Sequence, residues 1–101
     1  MNEIQNIAFQ VISNVGLAKS LYIEIIDRCE KKDFENIDAM FEEADEYLIA
    51  GHKAHMNFVK MEAQGENIEF SMLAVHAEDQ LMNAELVKFL AEKFYKLYRR
   101  L

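Results

Sequence analysis

Residues 2–31 read NEIQNIAFQVISNVGLAKSLYIEIIDRCEK, with apolar positions at Ile4, Ile7, Ala8, Val11, Ile12, Val15, Ala18, Leu21, Tyr22, Ile25, Ile26 and Cys29. Steps of three and one, sustained over the whole stretch, predict one long amphipathic helix with a broad apolar stripe. Gly16 falls inside the run. It is either a weak point costing about 1 kcal/mol relative to alanine, or a place where another helix comes close. The residues alone leave both readings open.

The pattern breaks at Glu30-Lys31-Lys32-Asp33. Asp33 is expected to cap a second helix, with Asn36 half completing a capping box. That helix would carry Phe34, Ile37, Met40, Phe41, Ala44, Leu48, Ile49, His52, His55, Phe58 and Val59. Its acidic first half suits the positive end of a helix dipole. Gln64-Gly65-Glu66-Asn67 is the second break, with Gly65 just past the helix end. Ser71 then caps a third helix running to the terminus, where Lys88, Lys93, Lys96, Arg99 and Arg100 suit the negative end of the dipole.

Three long helices and two short loops predict a single all-α domain over residues 1–101, an antiparallel up-down-up three-helix bundle. At ~1.5 Å per residue it is a rod more than ~40 Å long. The third helix is apolar on more than one side, at Met72, Leu73, Val75, Leu81, Met82 and Leu86. One two-helix groove cannot cover all of these, so self-association through this helix is expected, with a closed symmetric ring as the usual form.

Composition agrees. The 101 residues are 51% hydrophobic with no proline and three glycines, too little turn punctuation for a β-rich domain. A net charge of −7 offers no electrostatic footprint for nucleic acid or anionic lipid. The single cysteine, Cys29, cannot form an intrachain disulfide, and its apolar position predicts a buried, inert thiol. No apolar run reaches the ~18 residues of a membrane span, and the first residues lack a basic region followed by an apolar core. A cytoplasmic location is expected.

The chemistry concentrates in residues 71–82, SMLAVHAEDQLM. On a helix, His76 and Asp79 share a face, as do His52 and His55 on the preceding one. Together the four could in principle bind zinc or another transition metal. The Glu-x-x-His pairs of di-iron bundles are absent, because Ile49, His52 and Leu73 hold the preceding positions. A second reading makes His76 a nucleophile. An unperturbed imidazole, with a pKa of ~6.5, is mostly deprotonated at neutral pH and can attack phosphorus. The helix start near Ser71 offers free N–H groups to a phosphoryl group, and no lysine or arginine within the stretch would trap it. A third reading is a histidine satisfied at an interface. Spacing does not choose among the three. Asp79 is either an ordinary surface carboxylate or, buried at a symmetry axis, one that needs a hard cation such as Mg²⁺ between its copies.

The chain resembles the IIA component of the lactose/cellobiose/chitobiose class of the phosphoenolpyruvate-dependent sugar phosphotransferase system. The likeness covers nearly all of it. Its strongest part is His76-Ala77-Glu78-Asp79-Gln80-Leu81-Met82, which matches the family's His-x-x-Asp-x-Leu-Met segment. Glu62-Ala63-x-Gly65-Glu66, Asp33-Phe34, Phe9 and Gly16-x-Ala18-x-Ser20 match as well.

The resemblance implies that His76 accepts a phosphoryl group from the histidine-containing phosphocarrier protein and passes it to a cysteine of the IIB component during uptake of a β-linked disaccharide. It also implies a homotrimer with Asp79 on the threefold axis around one Mg²⁺, and contact with the membrane only indirectly, through the IIC transporter. Two positions depart from the family pattern. Gln80 stands where a second histidine is usual, and His55 where glutamine is usual. An exchange of side chains between helices two and three is expected, with His55 and Gln80 facing each other near His76 and His52 supporting the same phosphate pocket. The alternative function is a non-catalytic helical interaction module derived from the family.

Overall fold

The computed structural model describes residues 2–68 and 71–101. Three helices follow in order: α1 (Glu3–Glu30), α2 (Ile37–Ala63) and α3 (Met72–Arg100). They form a rod of 52 × 20 × 17 Å. The all-α, up-down-up expectation holds, with no strand among the described residues.

Each helix start and end has a local cause. At α1, the Asn2 side chain accepts from the Gln5 amide, and the Gln5 side chain accepts from the Asn2 amide at 3.1 Å, a complete capping box. α1 ends where the Lys32 amide bonds back to the Cys29 carbonyl and the Asp33 amide to the Arg28 carbonyl. Lys32 is left-handed there, at φ 58°. α2 ends the same way, with Gly65 at φ 81° bonding to Glu62 and Glu66 bonding to Met61. Glycine takes that conformation without strain, which is why Gly65 reads so clearly in the sequence. Ser71 caps α3 as expected, its Oγ accepting from the Ala74 amide at 3.0 Å.

One boundary differs. Asp33 does not cap α2; the N-cap is Asn36, left-handed at φ 61° and making no side-chain cap bond. Asp33 is held instead by Arg28, at 3.9 Å, and accepts from the Glu35 amide. The Arg28 guanidinium also reaches the Glu35 carbonyl at 3.4 Å. These contacts spend the Asp33 carboxylate within the loop, and the helix begins four residues later.

The core lies along α1, which packs against both other helices while α2 and α3 scarcely touch. α3 meets α1 through Ala77, Ala84 and Ala91, one every seven residues and all fully buried, with Leu81 among them. α2 meets it through Ala44, Leu48, Gly51 and Phe58. A small side chain once per two turns lets two helix axes run close together, and the large side chains of α1 fill the space between. Cys29 is fully buried and its thiol pKa is pushed up by that burial, as expected for an inert core residue.

Tyr22 is the largest fully buried side chain. Its hydroxyl donates to Asp45 at 2.5 Å, and Asp45 is paired with Lys88 at 3.1 Å, so one polar chain ties all three helices. Burial first, then the hydrogen bond and negative charge of Asp45, push the Tyr22 pKa far above its usual value. The folded protein therefore keeps a proton that the unfolded chain loses above about pH 10. Its stability should fall as pH rises beyond that point. Tyr22→Phe should cost about 1–2 kcal/mol at neutral pH and shallow the alkaline loss. Denaturant melts of both proteins at pH 7 and at about pH 10.5 check it.

Candidate functional site

The three histidines are not equivalent, and helix geometry shows why. Residues two apart on a helix point ~200° apart, so Glu78 lies on the side of α3 opposite to His76 and Gln80. α2 sits on the Glu78 side. His55 Nε2 donates to Glu78, and His52 Nε2 donates to Glu85, seven residues further along the same flank, at 2.5 Å. With Asp45–Lys88 these two pairs bridge the thinly packed α2–α3 seam. His55 is largely covered, while His52 is nearly half exposed.

His76 is exposed, one turn inside α3. Among the described residues it has no hydrogen-bond or ion-pair partner. Gln80, one turn on, is half-buried on the same flank. Three sequence expectations change here. His55 and Gln80 do not face each other within one chain, because α2 occupies the other flank of α3. His52 does not join a pocket with His76, since Glu85 holds it. The cluster of His52, His55, His76 and Asp79 does not form, and no group of three or more metal-ligating side chains meets among the described residues. The acidic partners Glu78 and Glu85 were the unread signal. They stand seven residues apart on α3, facing a His-x-x-His pair on the helix before it.

Asp79 is exposed in the middle of α3's outer face, where Met72, Val75, Met82, Leu86, Leu90 and Leu97 are 40–72% exposed. The steps 72, 75, 79, 82 and 86 alternate three and four, the spacing of a coiled-coil seam. Both faces of α3 are thus apolar, and one carries a lone carboxylate. Beside this stripe, on the α2 side, opens a cleft of about 440 Å³. Phe58, Ile68, Val75 and Met82 supply its apolar lining, and Glu62, Glu78, Asp79 and Ser71 its polar groups. His76 lies outside it. No helix of the described residues is long and apolar enough to cross a membrane.

This arrangement matches known proteins along its whole length. The family model "PTS system, Lactose/Cellobiose specific IIA subunit" matches residues 6–99. A lactose-specific EIIA component from Staphylococcus epidermidis is 31% identical, over 98% of this chain and 95% of its own length. A lichenan-specific phosphotransferase enzyme IIA component from Bacillus subtilis is 34% identical over 98% and 90%. The crystal structure of a cellobiose-specific enzyme IIA from Bacillus anthracis superposes with a TM-score of 0.93 at 35% identity, over 99% of this chain and 92% of that one. A likeness that spans every helix and both loops shows the family: the chain belongs to the lactose/cellobiose-specific IIA subunits of the phosphotransferase system.

Proposed function

We propose that the protein is a phosphocarrier that accepts a phosphoryl group on His76 and gives it up again. The observation that carries this reading is the contrast among its three histidines. His52 and His55 each spend a ring nitrogen on a glutamate, whereas His76 stands exposed and unpaired among the described residues. A nucleophile needs a free lone pair and room for the incoming group. His76 offers both, with neither ring nitrogen engaged among the described residues.

The donor in this reading is the phosphohistidine of the histidine-containing phosphocarrier protein. Its P–N bond breaks as a lone pair on His76 forms a new one, and the donor imidazole recovers its own pair. In the second step a cysteine thiolate of the IIB component attacks the same phosphorus, and the His76 P–N bond breaks. Both exchanges trade one phosphorus bond for another of similar character, so the protein needs little more than access and orientation. The exposure of His76 fits that demand. The names of the relatives point to a β-linked glucoside or galactoside as the sugar finally phosphorylated.

The working form in this reading is a homotrimer closed through the outer face of α3. That face is too apolar to stay in water, and Asp79 at its centre would meet its two copies on the axis. One exposed carboxylate does not hold a divalent ion, but three converging ones are a donor set for a hard cation such as Mg²⁺. The ion would supply the positive charge that lets three carboxylates lie together. Native mass spectrometry should find three chains, and metal analysis about one ion per three chains, released with Asp79→Ala.

The test of the function is an intact-mass assay with phosphoenolpyruvate, enzyme I and the phosphocarrier protein. An acid-labile gain of about 80 Da, one phosphoryl group, is expected. No gain on a folded protein would replace this reading with a non-catalytic interaction module.

A further inference from the structure

Resting on the trimer read above, we infer that the α3 seam holds a second ion, a phosphate-type anion between the Lys93 and Arg100 side chains of three protomers. It lies at the end of the rod away from His76 and takes no part in phosphoryl transfer.

The phase of α3 is set on its inner face. Ala77, Ala84 and Ala91 are fully buried against α1, and Tyr98, seven residues on again, packs against the same core. A straight helix drifts only about 20° per seven residues, so the repeat stays on α1 from the start of α3 to its end. Residues two further on stand ~200° around the helix, on the outer face. They are Asp79, Leu86, Lys93 and Arg100, all exposed. Closing a ring that brings three copies of Asp79 to the axis therefore brings the Lys93 and Arg100 copies to it as well. The small drift lies within the sweep of their long stems. Leu90 and Leu97, exposed beside them, give the three helices an apolar reason to stay together at this level.

The seam thus changes character along its length, from apolar to basic. Residues 93–101 hold Lys93, Lys96, Arg99 and Arg100 and no acidic side chain, in a chain of net charge −7. The helix dipole favours cations only in the last turn, which accounts for Arg99 and Arg100 but not for Lys93, two turns inside the end. Lys93 lies along the outer face, its Nζ 5.2 Å from the centroid of the exposed Phe89 ring. None of the four cations has an ion-pair partner among the described residues. Lys96, Arg99 and Arg100 line a hollow of about 410 Å³ whose wall has no carboxylate. Asp79 cannot neutralise them, since Lys93 stands ~21 Å further along the helix, about two Debye lengths at physiological salt.

Like charges gathered on an axis repel, and an ion of opposite sign between them removes the repulsion. Three guanidinium forks and three ammonium groups are donors that suit the oxygens of a phosphate. A single chloride offsets far less of that charge.

The test is calorimetric titration of inorganic phosphate into trimers verified by native mass, beside melts in phosphate and in sodium chloride of equal ionic strength. About one phosphate per three chains should bind, and phosphate should raise the melting temperature by several degrees more than chloride does. Lys93→Gln should remove that response and, with no phosphate present, should melt above wild type because it relieves the repulsion. Lys93→Arg, which keeps the charge, should keep the response. Arg100→Gln should lose it independently, which keeps the test alive if Lys93→Gln disturbs assembly. A response equal in phosphate and chloride, about one phosphate per chain, or a Lys93→Gln protein that melts like wild type in both salts would overturn the inference and leave the trimer standing. So would binding to phosphatidylserine vesicles with none to free phosphate, which would make this end of the rod a lipid-facing surface. A protein that is monomeric by native mass overturns the inference and the trimer together.

Discussion

Replacing His76 by alanine is expected to abolish phosphoryl uptake completely, while the helix content and the melting temperature stay within a few degrees of wild type. The first half follows from chemistry. Group transfer needs a lone pair at phosphorus, and alanine has none, so no rearrangement of neighbours can substitute for it. The second half follows from position. His76 is exposed and among the described residues touches no polar partner, so its removal leaves no cavity and no orphaned group. Surface changes of this kind usually move stability by less than ~0.5 kcal/mol. His52→Ala is the matched control. It breaks a contact to Glu85 across the α2–α3 seam, yet should keep the full ~80 Da gain, because His52 lies on the wrong side of α3 to receive it. If His52→Ala lost the adduct and His76→Ala kept it, the assignment of the nucleophile would be reversed.

The three helices were legible in the sequence because each carries an unbroken three-and-four rhythm, and Gly65 and Ser71 mark their own positions chemically. The start of α2 was not legible. Asp33 and Asn36 are equally good capping residues by type, but Arg28, in the last turn of α1, draws Asp33 into the loop. The site was half legible. Periodicity places each side chain on a face of its own helix, so His76, Gln80 and Asp79 could be read as neighbours and His52 with His55 as a pair. It does not say against which flank of the next helix a pair will rest. That depends on how far α2 and α3 are rolled about α1, which the small residues along α1's two grooves decide. Within one chain His55 and Gln80 do not meet for that reason, by the angle of one helix.

Gly51→Ala is expected to destabilise the protein, against the usual gain of exchanging glycine for alanine within a helix. The sequence drew attention to Gly16 as the possible close approach, but nothing lies within 4 Å of a Cβ built there. Gly51 is the real contact. A Cβ on it would stand 2.5 Å from Cγ1 of Val15, 3.7 Å from the Val15 amide nitrogen and 3.8 Å from Cβ of Asn14. Val15 is fully buried, and a β-branched side chain in a helix has essentially one χ1 state, so the methyl cannot swing aside. The two helices must part instead, along a seam where every neighbouring contact was set by their spacing. Overpacking of this kind costs about 1–3 kcal/mol, and the alanine returns about 1 kcal/mol of helix propensity. A net loss of up to about 2 kcal/mol should remain, or a melting point lower by as much as roughly 15 °C for a chain of this size. Gly51→Leu should go further and prevent α2 from docking on α1. Gly16→Ala isolates the propensity term: with open space above it, it should gain stability by up to about 1 kcal/mol. All three melts belong at one protomer concentration, since an assembling protein's stability depends on it. Opposite signs for the same substitution at two helical glycines would show that the distance between α1 and α2, and not glycine's own preference, is what Gly51 is there to set.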